Sequence, residues 1–329
     1  MRDGTCISRR RLLQMAAAAA VVPPARRAGA ATDYPTRPVK VLVPYSPGGG
    51  ADTVSRILFG KLSELWGQQF VIDNRGGGGG TIGAAVVAKA ERDGHTILYD
   101  ATAFSVNPSL YARLPYDTAT DFQPVFLASL VTNFLLVNNG VEAKTVADVI
   151  ALAKASPNGL DWASSGNGSM QHLCMEMFRH QAGIKLNHIP YRGGGPALND
   201  LIAGQVKFFF SNASSSLGHV QSGTLRAVAH SGRGRLASLP DLPTVGETLP
   251  GFEAYEWNGV FAPSGTPGEI VQKLNAGLNT VIRQPDVAER LRGLNVEFRA
   301  NTPEDFGAFV AAEIEKWGRV VRDANIKLG

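Results

Sequence analysis

The stretch VPYSPGGGADTV, Val43 to Val54, carries the reading of the fold. A β-branched run, VKVLV (Val39 to Val43), stops at Pro44, and three glycines follow. A helical pattern then starts at once, with Asp52 in its first turn and Val54, Ile57, Leu58, Leu62 and Leu65 at helical spacing. A strand that passes over glycines straight into a helix is half of a parallel βαβ unit. Glycine allows close backbone approach, and the first N–H groups of a helix have no partner within it. Such a helix start carries about half a positive charge, which suits an anion such as a carboxylate. Asp52 is expected to order its own loop by accepting N–H bonds at the helix start.

The same junction recurs in SSGNGSMQ (Ser164 to Gln171) and PYRGGGPAL (Pro190 to Leu198). Pro196 suits the first helical position, where its missing N–H costs nothing. One such loop is an ordinary connector of an α/β fold. Three of them, one in a different lobe from the others, point to an anion site in a cleft.

Working outward, strand-like runs alternate with helical patterns along most of the chain, which predicts an α/β fold with mostly parallel sheets. FVID (Phe70 to Asp73), a helix from about Ile82 to Ala90 and TILYD (Thr96 to Asp100) extend the first series. A second begins after NFLLVNN (Asn133 to Asn139) and runs through LDWASS, a helix from Met170 to Gln181, NHIPY, PALNDLIAG, VKFFFS and LRAVAHS. The proline-rich SLPDLPTVGETLPG (Ser238 to Gly251) reads as a linker. YEWNGVFA and the helices Pro267 to Arg283 and Pro303 to Ala324 then lack a sheet of their own, so they are assigned back to the first series. The expected plan is two lobes, 32–136 with 256–329 and 137–255, joined by crossings near Leu136 and Glu256.

Residues 1–31 read as an export signal. Ser8-Arg9-Arg10-Arg11-Leu12-Leu13 looks like a twin-arginine motif, an alanine-rich apolar run reaches Val22, and Ala28-Gly29-Ala30 offers a cleavage site. That apolar run is too short to span a bilayer, which takes about 20 residues. Removing 1–31 turns 32 Lys+Arg against 28 Asp+Glu into 26 against 27, a net charge of −1. The mature chain therefore offers no electrostatic case for nucleic acid or an anionic membrane. Cys6 leaves with the signal, so Cys174 has no internal disulfide partner.

VPYSPGGGADTVSR resembles the P-Y-x-P-G-G-x-x-D segment of the periplasmic solute-binding proteins of tripartite tricarboxylate transporters, the TctC or Bug family. DNRGGGGGTIGA is similar to that family's N-R-x-G-A-G-G-x-x-G. RDGHTIL, SVNPSLY, WASSGNGSMQHL, HIPYRGGGPALNDLIAGQV, LPDLPTVGE and WNGVFAPSGTP follow in the family's order. Departures are Gly78 for alanine, His95 for tyrosine and Ser211 where an aspartate often stands; the last bears on which ligand is read. The resemblance implies a type II-like two-lobe periplasmic binding protein that closes on a small carboxylate and delivers it to membrane permease subunits. It implies no catalysis, cofactor, metal or nucleic acid, and a monomer. On the family's pattern the ligand is held by Tyr45, Ser46, Gly48 and Gly49, with Thr102 and Ser105. The second lobe adds Ser164, Ser165, Ser169, Gln171, Tyr191, Arg192 and Gly193. Arg192 has two readings, a side-chain clamp or a backbone contact with its guanidinium in solvent.

The chief rival is a dinucleotide-dependent oxidoreductase. Gly78-x-Gly80-x-x-Gly83 follows a strand and opens a helix, and Asp100 ends the next strand about 20 residues on. Against it, Asp73-Asn74-Arg75 intervenes where that motif wants a tight turn, and a run of five glycines matches the spacing by accident. His172, Cys174, His180 and His188 are close in sequence, but His172 and Cys174 face different sides of a helix. No G-x-S-x-G marks a serine hydrolase.

Overall fold

The computed structural model describes residues 33–323 and Ile326; the stretch read as an export signal, with its Arg9-Arg10 pair, and Cys6 lie outside the described residues. Strand β1 (Val39–Val43) forms where the β-branched run predicts it, and it pairs in parallel with β2 (Phe70–Asn74) on one side and β3 (Thr96–Ala101) on the other. Helices α1 (Gly50–Trp66) and α2 (Thr81–Ala88) make the crossovers, α2 after a 3-10 turn at Gly78–Gly80. Helix α3 (Ala103–Leu110), with Pro108 inside it, follows β3.

The pivotal element is β4 (Phe122–Val137), whose sixteen residues are nearly all buried. Its register slips at Pro124, where proline has no N–H to give a ladder. From Phe122 to Thr132 it pairs antiparallel with β9 (Tyr255–Pro263). From Asn133 onward it pairs with β7 (Phe208–Asn212), and from Phe134 also with β8 (Arg226–His230). Sequence patterning catches only the second part of this strand. The first part is apolar without alternation, because both of its faces are covered.

Beyond β4 come α4 (Val146–Ala155), β5 (Leu160–Ser164), α5 (Met170–Ala182), β6 (Leu186–Pro190), α6 (Gly194–Ile202) and α7 (Ala213–Gln221). α8 (Gly268–Val281), α9 (Pro285–Gly293), the short β10 (Val296–Glu297) and α10 (Pro303–Asp323) close the chain. The ten strands run β2-β1-β3-β9-β4-β7-β5-β6, with β8 and β10 also on β4. The α/β class expected from the alternation is the observed one. The first half of the sheet is β2 to β9, the second β7 to β6, and β4 belongs to both.

Each half has its own aromatic core. Phe104, Phe122, Trp257, Phe261 and Phe306 fill the first, and a Cβ on Gly259 would enter the Phe306 ring. Trp162 stacks with Phe208 and packs against Phe178 and Phe210 in the second. Helix α10 serves both: Phe306 and Val310 lie in the first core, Trp317 and Val321 in the second. Twenty-one residues span about 32 Å, enough for one amphipathic helix to underpin both halves.

Candidate functional site

Five helices begin around one point. The first turns of α1 and α3 come from the first half, and those of α5, α6 and α7 from the second. The sequence builds each start differently. At α1 the cap is Gly49, extended at φ −83° and without a side chain to satisfy the helix. Gly48 before it sits at φ +83°, which favours glycine. Asp52 accepts the Gly48 N–H at 3.0 Å, and Asn74 donates both to Asp52 and to the Tyr45 carbonyl. Burial pushes the Asp52 carboxyl up, but bonds from Arg56, Gly48 and Asn74 outweigh it and hold the group below its usual range. The carboxylate thus orders its own loop, as the sequence predicts. Ser169 caps α5 through the His172 N–H, and Asn212 caps α7 through Ser214.

Between these starts lies a narrow cleft. The first half lines it with Tyr45, Gly49, Gly50, Ala51, Ala101 and Ala103; the second adds Ser165, Ser169, Met170, Gln171, Gly194, Asn212 and Ser215, and Glu256 completes it. Of the sequence-predicted residues, Tyr45, Gly49, Ser165, Ser169 and Gln171 come together in this lining.

The others sit behind or beside it. Thr102 accepts the Trp257 N–H, and Ser105 bonds back to the Thr102 carbonyl, so both brace the start of α3. Ser164 holds the turn after β5 by accepting the Gly166 N–H and bonding the His188 ring. Tyr191 donates to Asp200 at 2.7 Å. Ser46 donates its N–H to the Arg192 carbonyl at 3.1 Å, and its hydroxyl to the same oxygen. The Arg192 side chain is exposed, so its contact to the first loop runs through the backbone. Gly48 and Gly193 lie just before the helix starts they serve.

The glycine loops of the two halves interlock. A Cβ on Gly195 would collide with the Pro47 carbonyl, and one on Gly49 would come within 3.2 Å of the Gly194 nitrogen. The five-glycine run does the same work. Gly77 to Gly80 all have positive φ, and a Cβ on Gly79 would strike the Asn167 carbonyl across from it. Its carbonyls accept bonds from Thr81, Asn107 and Tyr111. Asp100 is buried beneath Tyr45, whose hydroxyl donates to it at 2.9 Å. Gly78 is exposed, but Gly79 and Gly80 are buried, and the Asp100 carboxylate is buried under Tyr45 and not placed for a ribose, which weighs against a dinucleotide site.

The electrostatics are of two kinds. Helix starts supply positive potential from the backbone, while no lining residue is a lysine or arginine. Glu256 is buried and accepts Gln171 Nε2 at 2.5 Å and Asn212 Nδ2 at 2.9 Å. Burial pushes its carboxyl up, opposed by the hydrogen bonds from Asn212, Gln171 and Asn258. Burial likewise lifts Asp100 to about 7 against bonds from Ala101 and Tyr45. His172 and His188 stack with ring centres 4.0 Å apart. Burial lowers His172 to about 4 and His188 to about 3, so both are neutral at pH 7 and brace the Gly166–Gly168 turn. Cys174 is buried with a raised thiol pKa, and the described residues hold no group of three metal-ligating side chains.

Asn212, Ser215 and Glu256 are the polar lining residues that sequence reasoning missed. S-N-A-S-S-S is a strand-to-helix junction like the others but without glycine, and an Asn before a helix is itself an N-cap signal. The lone acid in YEWNGVFAP was readable as an ionisable group in an otherwise apolar strand. Ser211, singled out as a ligand reader, is fully buried in β7 and does not line the cavity; its neighbour Asn212 does, because successive strand residues face opposite ways.

Residues 54–326 match the family described as "Tripartite tricarboxylate transporter family receptor". A UPF0065 protein from the tcbD-tcbE intergenic region of Pseudomonas sp. (strain P51) is 39% identical over 297 residues, covering 90% of this chain and 88% of that protein. The periplasmic binding protein BugD is similar in structure, with a TM-score of 0.87 and 34% identity over 89% of this chain and 99% of its own. An R. palustris protein solved with adipate gives a TM-score of 0.87 and 37% identity over 90% and 99%.

Proposed function

This chain belongs to the tripartite tricarboxylate transporter receptors, a family of solute-binding proteins rather than enzymes, and from that premise we propose that it captures a small dicarboxylate between two lobes and hands it to the permease subunits of such a transporter. The lobes in this reading are 32–136 with 256–329, and 137–255. The observation that carries it is the convergence of five helix N-termini, drawn from both halves of the sheet, on one cleft. Backbone N–H groups aimed at one point favour an anion without any side-chain cation. The adipate carried by a relative with 37% identity fits the same class of ligand. Ser165, Ser169, Gln171 and Gly49 are the contacts we assign to it, with Tyr45 closing one side. Periplasmic delivery through the twin-arginine route rests on Arg9 and Arg10 in the sequence.

A receptor of this kind is stabilised by its ligand through mass action. Melting curves of the purified chain with a panel of C4 to C8 dicarboxylates, tricarboxylates, aromatic acids and amino acids are expected to rise for at least one carboxylated member. No rise with any carboxylate at millimolar concentration, matched by no calorimetric heat, would overturn the reading.

A further inference from the structure

We propose that Ser231 is a clasp between the two strands that cross from one half to the other, a positioning residue whose hydroxyl favours the closed receptor over the open one. The inference rests on the two-lobe reading and names a device within it. β4 leaves the first half between Thr132, its last residue on β9, and Asn133, its first on β7. The return crossing is at Ala254 and Tyr255: Phe252 and Ala254 lie in the second core, while β9 starts at Tyr255 and carries Trp257 into the first. Ser231, fully buried just after β8, touches both crossings.

Its backbone donates to the Asn133 carbonyl at 2.8 Å and accepts the Ala254 N–H at 2.8 Å. Its hydroxyl repeats both links, accepting the Asn133 N–H at 2.9 Å and donating to the Ala254 carbonyl at 2.6 Å. A hydroxyl has one proton to give and two lone pairs. The proton goes to Ala254 and one lone pair to Asn133, which leaves the other to Thr132 at 3.3 Å or to the Cys174 thiol of α5. Gly232 adds shape to the junction. A Cβ there would come within 3.1 Å of the Thr132 and Tyr255 hydroxyls, the pair that faces across β4 and β9 at the crossing.

Opening two lobes bends the crossings by backbone rotation at a few residues. Main-chain bonds alone let each crossing turn about Ser231 separately. One hydroxyl held by both at once fixes their mutual angle, and it is satisfied at the angle seen here, with Ser46 bonded to Arg192 across the cleft. An opened angle lengthens one of its bonds and leaves a buried donor or acceptor unmet. The hydroxyl therefore biases the equilibrium toward closure, and a ligand that needs the closed state gains from it.

The test is the distance distribution between nitroxides at Glu64→Cys in the first half and Gln181→Cys in the second, both exposed positions; Cys174 is buried and takes no label. In the mature chain without ligand, Ser231→Ala is expected to raise the population of long distances at least about fivefold. Ser231→Thr, which restores the hydroxyl, is expected to bring it back. Thr266→Val removes another buried hydroxyl, one bonded to the Pro263 carbonyl away from the crossings, and is expected to leave the distances unchanged. A folded Ser231→Ala with the distribution of the unsubstituted chain overturns the inference, and so does a shift of equal size in Thr266→Val. If Ser231→Ala does not fold, hydrogen exchange of the unsubstituted chain decides. The Asn133 and Ala254 amides are expected to exchange within about threefold of each other, and a difference beyond about tenfold overturns the clasp. None of these measurements uses a ligand, so a carboxylate panel without a hit brings down the receptor function and leaves the clasp to be decided on its own.

Discussion

The two halves of the molecule build opposite kinds of wall around one cavity. Apart from Tyr45, the first half presents Gly49, Gly50, Ala51, Ala101 and Ala103, residues with at most one side-chain carbon. The second presents Ser165, Ser169, Gln171, Asn212 and Ser215, all with polar side chains; Ser169 and Asn212 cap helices, and Gln171 bonds to Asn133 and Glu256. A wall of bare backbone recognises charge and shape but cannot tell one acid from another. A wall of hydroxyls and amides can, because a missing partner for a buried polar group costs about 1–3 kcal/mol. Anion capture is therefore shared by the helix starts of both walls, and discrimination belongs to the side chains of the second and to Glu256 between them.

The largest effect expected from this contrast is at Gly195. Alanine there favours helix α6 in isolation, since alanine is the better helix former by about 1 kcal/mol. Its Cβ, however, would collide with the Pro47 carbonyl of the opposite half. Gly195→Ala is therefore expected to fold normally and to lose at least about a hundredfold in ligand affinity, about 2.7 kcal/mol, because the loops can no longer meet. Gly218→Ala, whose added carbon meets nothing within 4 Å, is the control. Calorimetry on both checks it; equal affinities would break the claim that backbone contact between the walls is required.

A middle-sized effect belongs to Asp100, behind the first wall. Its carboxyl titrates near 7 when folded against an ordinary 3.8, with burial as the cause and Tyr45 and Tyr116 as its titratable neighbours. A raised carboxyl pKa means the folded chain holds the proton more tightly than the unfolded one. Its contribution to stability is then present below about pH 4 and is lost as the pH rises through about 7. Asp100→Asn is expected to flatten the fall in stability between those values, by up to about 1.4 kcal/mol per pH unit for one proton. Chemical denaturation of both proteins at pH 4.5, 6 and 8 measures it, and parallel curves would show that the buried acid does not titrate there.

The smallest effect is expected at Arg192. Its side chain is exposed and its carbonyl makes the contact to Ser46, so Arg192→Ala is predicted to change affinity by less than about threefold, under about 0.7 kcal/mol. A tenfold loss would mean that a guanidinium clamps the ligand, and the helix starts would no longer account for anion capture.

Local chemistry made much of this molecule legible. The β-branched VKVLV, the glycine breaks and the helical spacing after them predict β1 and α5 nearly to the residue and the existence of α1 and α6, although α6 starts at Gly194 and places Pro196 third rather than first, because strand and helix periods are properties of the chain itself. The order of the strand-to-helix junctions likewise predicts the α/β class and the anion-seeking helix starts. Asp52 is read correctly as a loop-ordering residue because its partners lie within one turn or on the adjacent strand.

What the sequence could not decide depends on residues far apart in the chain. Serines and glycines in neighbouring loops look equivalent on paper, yet Ser165 and Ser169 line the cavity while Ser164 is turned behind it by His188, 24 residues away. Glu256 becomes a site residue only because Gln171 and Asn212, 85 and 44 residues distant, fold onto its carboxylate. Propensity and periodicity are short-range quantities, so they determine elements. Which polar group ends beside which cavity is fixed by how the two halves pack across β4, and only the tertiary structure decides that.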